Sequence, residues 1–228
     1  MTLGRQSKRS FTAIVGVIAS NDELRLARRM PTPPDLFELR LDCLRELRES
    51  EIARFKHPLI MTARHPAEGG VGNLSDDRRR ELLLKLLPCA AFVDIELRSM
   101  PALKEIWDEA GRQKIRRICS VHDFEATPSL VRLRKQFNCA KKSGADFFKV
   151  VSRAESIDDL VVLLELLRSQ RERGRLCVMA TGKFGPISRL LFPECGSVFV
   201  YAPLRHRLHD GQLTLEQLRR LRDFYAKT

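Results

Sequence analysis

The alternation of strand-like and helix-like segments is the feature that most limits how this chain can fold. Eight apolar, β-prone runs alternate with eight amphipathic runs, without a linker or a low-complexity stretch between them. The predicted strands are 12–19, 36–42, 59–64, 91–97, 115–121, 146–152, 175–180 and 197–202, and the predicted helices lie near 22–30, 45–55, 76–87, 100–112, 129–142, 156–173, 186–192 and 214–226. This series predicts an α/β protein, a single (β/α)8 TIM barrel.

An open, doubly wound parallel sheet is the alternative arrangement of the same segments. That fold would need a glycine-rich phosphate loop after the first strand, and the segment "IASNDE" has no glycine. The length of 228 residues suits one large domain or two small ones. Since no break in composition divides the chain, we expect residues 12–228 to form one barrel domain. Residues 1–11 precede the first predicted strand, and we expect them to be a flexible tail.

Composition predicts a chain that buries a sizeable core and stays out of the membrane. Hydrophobic residues make up 43% of the chain and charged residues 31%, and no segment approaches the roughly 20 apolar residues that a membrane span needs. The basic start "MTLGRQSKRS" leads into a strand-like run rather than an apolar signal core. We therefore expect a cytoplasmic protein with no membrane partner.

Cysteine spacing and charge distribution narrow the range of partners. The six cysteines are scattered without a C-x-x-C pair, which favours free thiols over a zinc site or a disulfide framework. The net charge of +12 comes from Lys and Arg mixed with acids in stretches such as "DDRRRELLLKLL". This mixture predicts solvated helix faces rather than a nucleic-acid-binding stripe, although it would attract small anions.

Strand parity brings charged side chains to one end of the predicted barrel. In "LFELRLD" the residues Glu38, Arg40 and Asp42 share one face, and alternate residues of a barrel strand point inward. The same rule places further ionisable groups near the carboxyl ends of strands three to six: Arg64, Asp94, Glu96, His122 and Lys149. Active sites of this fold lie at that end, so we expect the functional site there.

Lys149 and His122 suggest the chemistry of that site. Lys149 stands in the apolar run "GADFFKVVSRA"; near cations such as Arg40, Arg64 and Arg189 it should lose its proton readily and attack a carbonyl. The resulting imine acidifies the neighbouring carbon, and His122 in "CSVHDF" on the adjacent strand is the candidate base. The alternatives are a lysine that reaches to solvent and a structural histidine.

Three further residues could complete the site. Glu68 in "ARHPAEGG" could orient His122, or it could be a solvated loop acid. Arg64 and Arg189 suit a carboxylate or polyhydroxyl substrate, because guanidinium groups can clamp a carboxylate with two hydrogen bonds. Arg189, in "ATGKFGPISR" after strand seven, could also be an ordinary surface arginine.

Seven motifs together resemble a known family. The motifs "FELRLD", "MTARHPAEGG", "VDIEL", "SVHDF", "FFKVV", "MATGKFGPISR" and "DGQL" have the order and approximate spacing of the type I 3-dehydroquinate dehydratases, from about residue 12 to 220. These are Schiff-base enzymes of the shikimate pathway. The resemblance implies a (β/α)8 barrel that acts on the small molecule 3-dehydroquinate, uses no metal or cofactor, and is commonly a homodimer.

The resemblance also implies a role for each site residue. Lys149 would form the imine with the substrate ketone, His122 would abstract the adjacent proton and later protonate the leaving hydroxyl, and Glu68 would support His122. The remaining implied contacts are to the substrate, with Glu38, Arg40 and Arg64 on the ring hydroxyls and Arg189 and Gln212 on the carboxylate.

The chain departs from the family pattern at two positions. Val121 stands where the family usually has a polar or aromatic residue, but its parity turns it away from the site. Leu208 stands four residues before Gln212, where the family typically has a serine, so one hydroxyl contact to the substrate is missing.

Two other functions are compatible with the same residues. A Schiff-base aldolase barrel would share the lysine, and "TGKFG" could serve as the phosphate cradle that such an enzyme usually needs. A barrel without activity could bind anions or nucleic acid through its basic surface. The presence of Lys149, His122 and Glu68 together argues against this last possibility.

Overall fold

A computed structural model describes residues 12–44, 47–170 and 172–226 of the chain. The predicted tail, residues 1–11, lies outside the described residues. The described part contains eight strands: Ala13–Ile18 (β1), Leu36–Arg40 (β2), Leu59–Thr62 (β3), Phe92–Glu96 (β4), Arg116–Asp123 (β5), Phe147–Arg153 (β6), Arg175–Thr181 (β7) and Phe199–Pro203 (β8).

A helix follows each strand within the described residues. The eight α-helices are Asn21–Arg28 (α1), Glu49–Ile52 (α2), Asp76–Leu86 (α3), Lys104–Arg112 (α4), Leu130–Lys142 (α5), Ile157–Gln170 (α6), Gly185–Glu194 (α7) and Leu215–Ala226 (α8). Side-chain caps set several starts: the hydroxyls of Ser20, Ser75 and Ser129 accept backbone hydrogen bonds at the first turns of α1, α3 and α5. These caps supply acceptors for backbone N–H groups that have no partner within the first turn of each helix.

The strands form one parallel sheet that closes on itself. Each strand from β1 to β6 pairs in parallel with the next one along the chain, and β1 also pairs with β8. The gap between β7 and β8 is bridged by the backbone hydrogen bond from Val198 N to Leu176 O, 2.8 Å long. This near-closure confirms the predicted barrel.

The largest difference from the predicted elements concerns the second helix. We predicted a helix over 45–55, but α2 contains only Glu49–Ile52, and residues 45 and 46 lie outside the described residues. Arg48 precedes this helix without a side-chain hydrogen bond to its first turn. Pro58 disfavours a helical conformation at His57, so any helix here has to end before β3, and the structure ends it at Ile52.

Alternate strand residues build two layers of core. Inside the barrel, an apolar plug fills the amino-terminal half and consists mainly of Val15, Leu36, Ile60, Phe92, Ile118, Phe147, Cys177 and Phe199. The residues of opposite parity, such as Phe37, Met61 and Val93, pack under the helices. The plug closes the bottom of the barrel, so the inward residues that follow it in each strand face the opposite end.

No helix in the described ranges is long and apolar enough to span a lipid bilayer.

Candidate active site

The inward residues above the apolar plug are mostly polar on the strands β2 to β6. They form two levels: Glu38, Thr62, Asp94, Ser120 and Lys149, and above them Arg40, Arg64, Glu96 and His122. Strand register brings the two levels together, since Ser120 pairs with Lys149 and Glu96 pairs with Ser120. A cleft at this end is lined by Lys149, His122, Glu68, Glu38, Arg40, Arg64, Arg189 and Gln212. The structure thus places all eight sequence-predicted site residues around one cleft.

Lys149 lies in direct contact with two carboxylates. Its Nζ is 2.9 Å from Asp94 Oδ2 and 3.4 Å from Glu38 Oε1. The ammonium also lies 4.0 Å from the centre of the Tyr201 ring, which is a cation–π distance. The sequence analysis named only the cations near this lysine. The structure adds two carboxylates that form ion pairs with this lysine and hold its side chain in place, so the expectation of a lysine surrounded by cations alone is wrong.

Arg64 is the centre of a buried ion network. Its Nη1 donates to Asp94 Oδ1 at 3.1 Å, to Glu96 Oε1 at 2.8 Å and to Ser120 Oγ at 2.9 Å. Burial alone would lower the pKa of Arg64, but Asp94 and Glu96 outweigh burial and raise it well above its ordinary value. Burial would likewise raise the pKa of Asp94, yet Arg64 and Lys149 hold it well below its usual range. Both groups are therefore charged across the neutral range.

Glu68 and His122 form a buried pair beside Lys149. A short 3₁₀ turn, Pro66–Glu68, carries the carboxylate inward, and Glu68 Oε2 lies 2.9 Å from His122 Nδ1. Burial raises the pKa of Glu68 to about 7. Burial, followed by the charges of Arg64 and Lys149, lowers the pKa of His122 well below its ordinary value. His122 is thus a neutral imidazole whose Nδ1 is held by Glu68, which leaves Nε2 for a substrate.

Arg40 is fixed by its neighbour two residues away. Its Nε and Nη2 donate to the two oxygens of Asp42 at 2.9 and 2.7 Å, and Nη2 also donates to Gly69 O at 3.0 Å. Burial would lower the pKa of Arg40, but Asp42 outweighs burial and raises it. The two-bond contact with Asp42 makes Arg40 a rigid cation at the rim of the cleft.

Arg189 is fully buried in the second turn of α7, so it is not a surface arginine. Its Nη1 donates to the carbonyl oxygens of Ala180 and Gly185, both at 2.8 Å, and of Gly211 at 3.2 Å. Its Nε donates to Tyr201 O at 3.3 Å. No ion pair of Arg189 with an acid exists among the described residues, and burial lowers its pKa to about 10. An anionic ligand would supply the missing counter-charge.

Gln212 sits in the loop between β8 and α8 and shapes it. Its Oε1 accepts the backbone N–H groups of Leu208 at 2.8 Å and His209 at 3.2 Å. Because the oxygen is engaged with the backbone, the amide NH2 is the part of Gln212 available to a ligand in the cleft. The side chain of Leu208 also lines the cleft, with no hydrogen-bonding group to offer.

Sequence reasoning missed several residues of the site. Tyr201, Phe124 and His209 line the cleft but were not predicted as site residues. Arg79 contradicts the prediction of a solvated helix face for its segment, since it is fully buried and pairs with Glu96. The inward parity of Tyr201 on β8 could have identified it from the sequence. The positions of Phe124 and His209 depend on loop conformation, and the burial of Arg79 depends on the rotation of α3.

Metal ligands do not cluster in the described part of the chain. No group of three or more His, Cys, Asp or Glu residues there has an arrangement that could hold a metal ion. All six cysteines are free thiols; Cys119 is buried under the helices and Cys177 is buried in the apolar plug inside the barrel. The side chains that line the cleft present an amine, imidazoles, guanidinium groups and carboxylates.

Comparison with known proteins identifies the family. A profile of the type I 3-dehydroquinase family matches residues 13–228, which covers all eight βα units. The chain belongs to the type I 3-dehydroquinase family. A 3-dehydroquinate dehydratase of Dehalococcoides mccartyi strain 195 is 36% identical over 185 residues, which is 80% of this chain and 82% of that protein. One of Methanocaldococcus jannaschii is 34% identical over 192 residues, 82% of this chain and 86% of the relative.

Solved structures of type I 3-dehydroquinases have the same fold. The crystal structure of the 3-dehydroquinate dehydratase from Aquifex aeolicus superposes with a TM-score of 0.79 at 27% identity. The superposition covers 95% of this chain and 100% of the Aquifex chain. The resemblance that the seven motifs indicated is thus confirmed at the level of family and fold.

Proposed function

We propose that the protein is a 3-dehydroquinate dehydratase, a hydro-lyase that converts 3-dehydroquinate to 3-dehydroshikimate through an imine. The observation that carries this proposal is the position of Lys149 among the buried polar side chains of β2 to β6, which we call the polar ring. There it lies between two carboxylates and on the strand next to that of His122. Membership of the type I 3-dehydroquinase family supports the same reaction and its place in the shikimate pathway of aromatic amino-acid biosynthesis.

The reaction begins when Lys149 gives up its proton to water, because only the neutral amine is a nucleophile. The free amine attacks the substrate ketone, and water leaves to form a protonated imine. The imine draws electrons from the neighbouring carbon, and His122 removes a proton from that carbon as a general base. The electron pair expels the β-hydroxyl group, which takes the proton from His122 and leaves as water. Hydrolysis of the imine then releases the enone and restores Lys149.

Glu68 serves His122 in this scheme. Proton uptake turns His122 into an imidazolium that is buried beside Arg64 and Lys149, two cations that disfavour it. The ionised carboxylate of Glu68, 2.9 Å from Nδ1, compensates for that repulsion and fixes the ring orientation. Glu68 is therefore a positioning residue rather than a group that touches the substrate.

The substrate would lie between two ends of the cleft. Arg189 and the Gln212 amide would bind the carboxylate, because Arg189 has no acidic partner among the described residues. Glu38, Arg40 and Arg64 would contact the ring hydroxyls from the opposite side. Arg64 also fixes Asp94, Glu96 and Ser120, because its Nη1 donates to all three of them.

We also infer that residues 12–228 form one catalytic domain, active as a cytoplasmic homodimer without a cofactor. The dimer proposal rests on the family resemblance and on exposed apolar side chains of two adjacent helices. Ile157 and Val161 of α6 are 67% and 54% exposed, and Ile187 and Leu191 of α7 are 41% and 36% exposed. A second copy would cover this surface.

The deciding experiment traps the imine. Borohydride added during turnover of 3-dehydroquinate should reduce the imine to a stable secondary amine, and peptide mass analysis should find the ligand on Lys149. Lys149→Ala should remove both the adduct and the dehydration while the barrel stays folded. Lys149→Arg should fail as well, because a guanidinium group stays protonated and cannot attack a carbonyl.

Lys183 supplies the matched control. It is an exposed lysine after β7 whose Nζ lies over the Phe184 ring, 5.3 Å from its centre. Lys183→Ala should retain both adduct and activity. Turnover without a trappable adduct, or an adduct on Lys183, would contradict the mechanism. Failure to convert 3-dehydroquinate, with imine formation only on small hydroxy aldehydes, would favour an aldolase instead.

A further inference from the structure

His209 reaches into the cleft from the loop between β8 and α8. Its ring stacks face to face on Phe124, with ring centres 3.8 Å apart and an interplanar angle of 16°. Phe124 in turn lies nearly parallel to His122, 6.0 Å away. The imidazole of His209 therefore belongs to a column of three rings that begins at the proposed catalytic base.

Gly69 makes room for this stack. It follows Glu68 with a φ of 81°, a left-handed conformation that favours glycine. A Cβ atom at this position would lie 2.6 Å from Phe124 Cε2 and 3.0 Å from His209 Cε1. The loops after β3, β5 and β8 thus meet around Gly69 without space for an additional methyl group.

The backbone of the His209 loop is held in place from both sides. Gln212 Oε1 accepts the His209 N–H, and Arg189 Nη1 donates to Gly211 O. Asp210 forms an ion pair with Arg153 of β6, 3.1 Å long. These contacts hold the His209 loop in one conformation. A side chain can discriminate between substrates only if its position is fixed in this way.

The ring nitrogens of His209 have no hydrogen-bond partner in the part of the chain that the structure describes. Burial, followed by the charge of Arg40, lowers the pKa of His209 to about 4, so the imidazole is neutral at physiological pH. A neutral imidazole offers one donor and one acceptor. Arg40 donates to Gly69 O at 3.0 Å, and the His209 ring packs against the same glycine, so His209 lies toward the end of the cleft that carries Arg40.

We propose that His209 is a specificity-determining residue of this enzyme: stacked on Phe124, it closes the cleft over the substrate and hydrogen-bonds a ring hydroxyl. This assignment rests on the proposed dehydratase function. Leu208, the preceding residue, lines the cleft with an apolar side chain, so the loop presents its polar contacts through His209 and Gln212. No bond is made or broken by His209.

Steady-state kinetics of His209→Phe separate the stacking of the ring on Phe124 from the hydrogen bond to the substrate hydroxyl. Phenylalanine retains a ring for the stack but has no nitrogen, so KM for 3-dehydroquinate should rise about tenfold, as expected for one lost hydrogen bond, while kcat stays close to wild type. The increase should disappear with the deoxy analogue of 3-dehydroquinate that lacks the contacted hydroxyl. A role limited to folding would raise KM equally for both compounds.

Two further variants complete the test. His209→Gln, which retains a donor and an acceptor, should recover part of the lost affinity. His206→Ala in the same loop is the matched control, because this histidine is exposed and only its backbone N–H is bonded, to Glu23. His206→Ala should have the same KM and kcat as the wild-type protein.

The outcomes distinguish this proposal from the function on which it rests. Wild-type turnover with an unchanged KM in His209→Phe would overturn the assignment of His209 alone. A KM that rises equally for the substrate and every deoxy analogue would overturn it as well. No turnover of 3-dehydroquinate by the wild-type protein would overturn the proposed function and this assignment together.

Discussion

Glu68 Oε2 lies 2.9 Å from both the backbone nitrogen and the Nδ1 atom of His122. One carboxylate oxygen therefore holds the strand end and the imidazole of the same residue. The two pKa values move in opposite directions, upward to about 7 for Glu68 and well below the ordinary value for His122. In the neutral range the titrating member of the pair is therefore Glu68, and not the histidine.

The rate should consequently follow the ionisation of Glu68. Below its pKa of about 7, the neutral carboxyl group cannot stabilise the imidazolium that forms when His122 takes a proton. We expect kcat/KM at pH 6 to be about a tenth of its value at pH 8, measured by the ultraviolet absorbance of the enone product, because kcat/KM follows the ionisation of the unliganded enzyme. Glu68→Gln should lower the rate at pH 8 and remove the increase in rate between pH 6 and pH 8.

Glu125, exposed in the loop that follows β5, provides the control for this pH profile. Glu125→Gln should leave the profile of the wild-type protein in place. A pH-independent rate between 6 and 8 in the wild-type protein would show that Glu68 does not govern the base.

His122→Ala should separate imine formation from dehydration. Loss of a general acid–base residue typically lowers turnover by about 10²- to 10⁴-fold. The substitution leaves Lys149 and its contacts with Asp94 and Glu38 in place, so borohydride should still trap the substrate on Lys149. Circular dichroism should show an intact barrel. A wild-type rate would remove His122 from the mechanism.

The sequence predicted the barrel and the polar ring because both follow from periodicity. Once a strand is assigned, parity alone determines that Glu38 and Lys149 face inward, and the structure confirms this. What parity does not determine is the height at which side chains from different strands meet. The contact between Lys149 and Asp94 depends on the stagger between strands and on side-chain length, so the sequence could not predict it.

Arg79 shows a second limit of the sequence. It is one of three consecutive arginines in α3, and all three look alike in a segment rich in charge. Only the rotation of the helix against the barrel selects Arg79 for burial, where it donates to Ala63 O at 2.7 Å and pairs with Glu96. The placement of His209 likewise depends on loop hydrogen bonds that no periodicity encodes.

Arg189→Ala should impair both binding and folding. Beyond the proposed contact to the substrate carboxylate, Arg189 satisfies carbonyl groups from β7, α7, β8 and the following loop. Losing these bonds leaves buried acceptors unpaired, so the free energy of unfolding should fall by at least about 2 kcal/mol in urea titrations. KM should rise strongly for the same variant. An unchanged KM would place Arg189 outside the binding site.

Arg205→Ala is the matched comparison, since Arg205 is exposed and contributes its backbone N–H to Glu23. Neither KM nor stability should change in this variant.

Leu208→Ser should leave the rate unchanged or improve it. The backbone N–H of Leu208 bonds to Gln212 regardless of the side chain, so the loop should retain its conformation. The new hydroxyl would stand where the family typically presents one. Steady-state assays test this directly, and a collapse of activity would show that the proposed alignment of the loop is wrong.

Tyr201→Phe should stabilise the protein. The Tyr201 hydroxyl is buried in the barrel without a hydrogen-bond partner among the described residues, and burial raises its pKa well above the ordinary value. Removing an unpaired buried hydroxyl should increase the free energy of unfolding by about 1 kcal/mol. Phenylalanine retains the ring 4.0 Å from Lys149 Nζ, so kcat should change little.

Tyr201→Leu distinguishes the ring from the hydroxyl. Leucine removes both, so it should lose the cation–π contact and leave a cavity beside Lys149, which lowers the free energy of unfolding. If Tyr201→Phe were also destabilising, the hydroxyl would have a partner that the protein side chains do not provide, such as an ordered water in the barrel. If both variants matched wild type in stability and in rate, the ring would have no role in holding the ammonium of Lys149 between its two carboxylates.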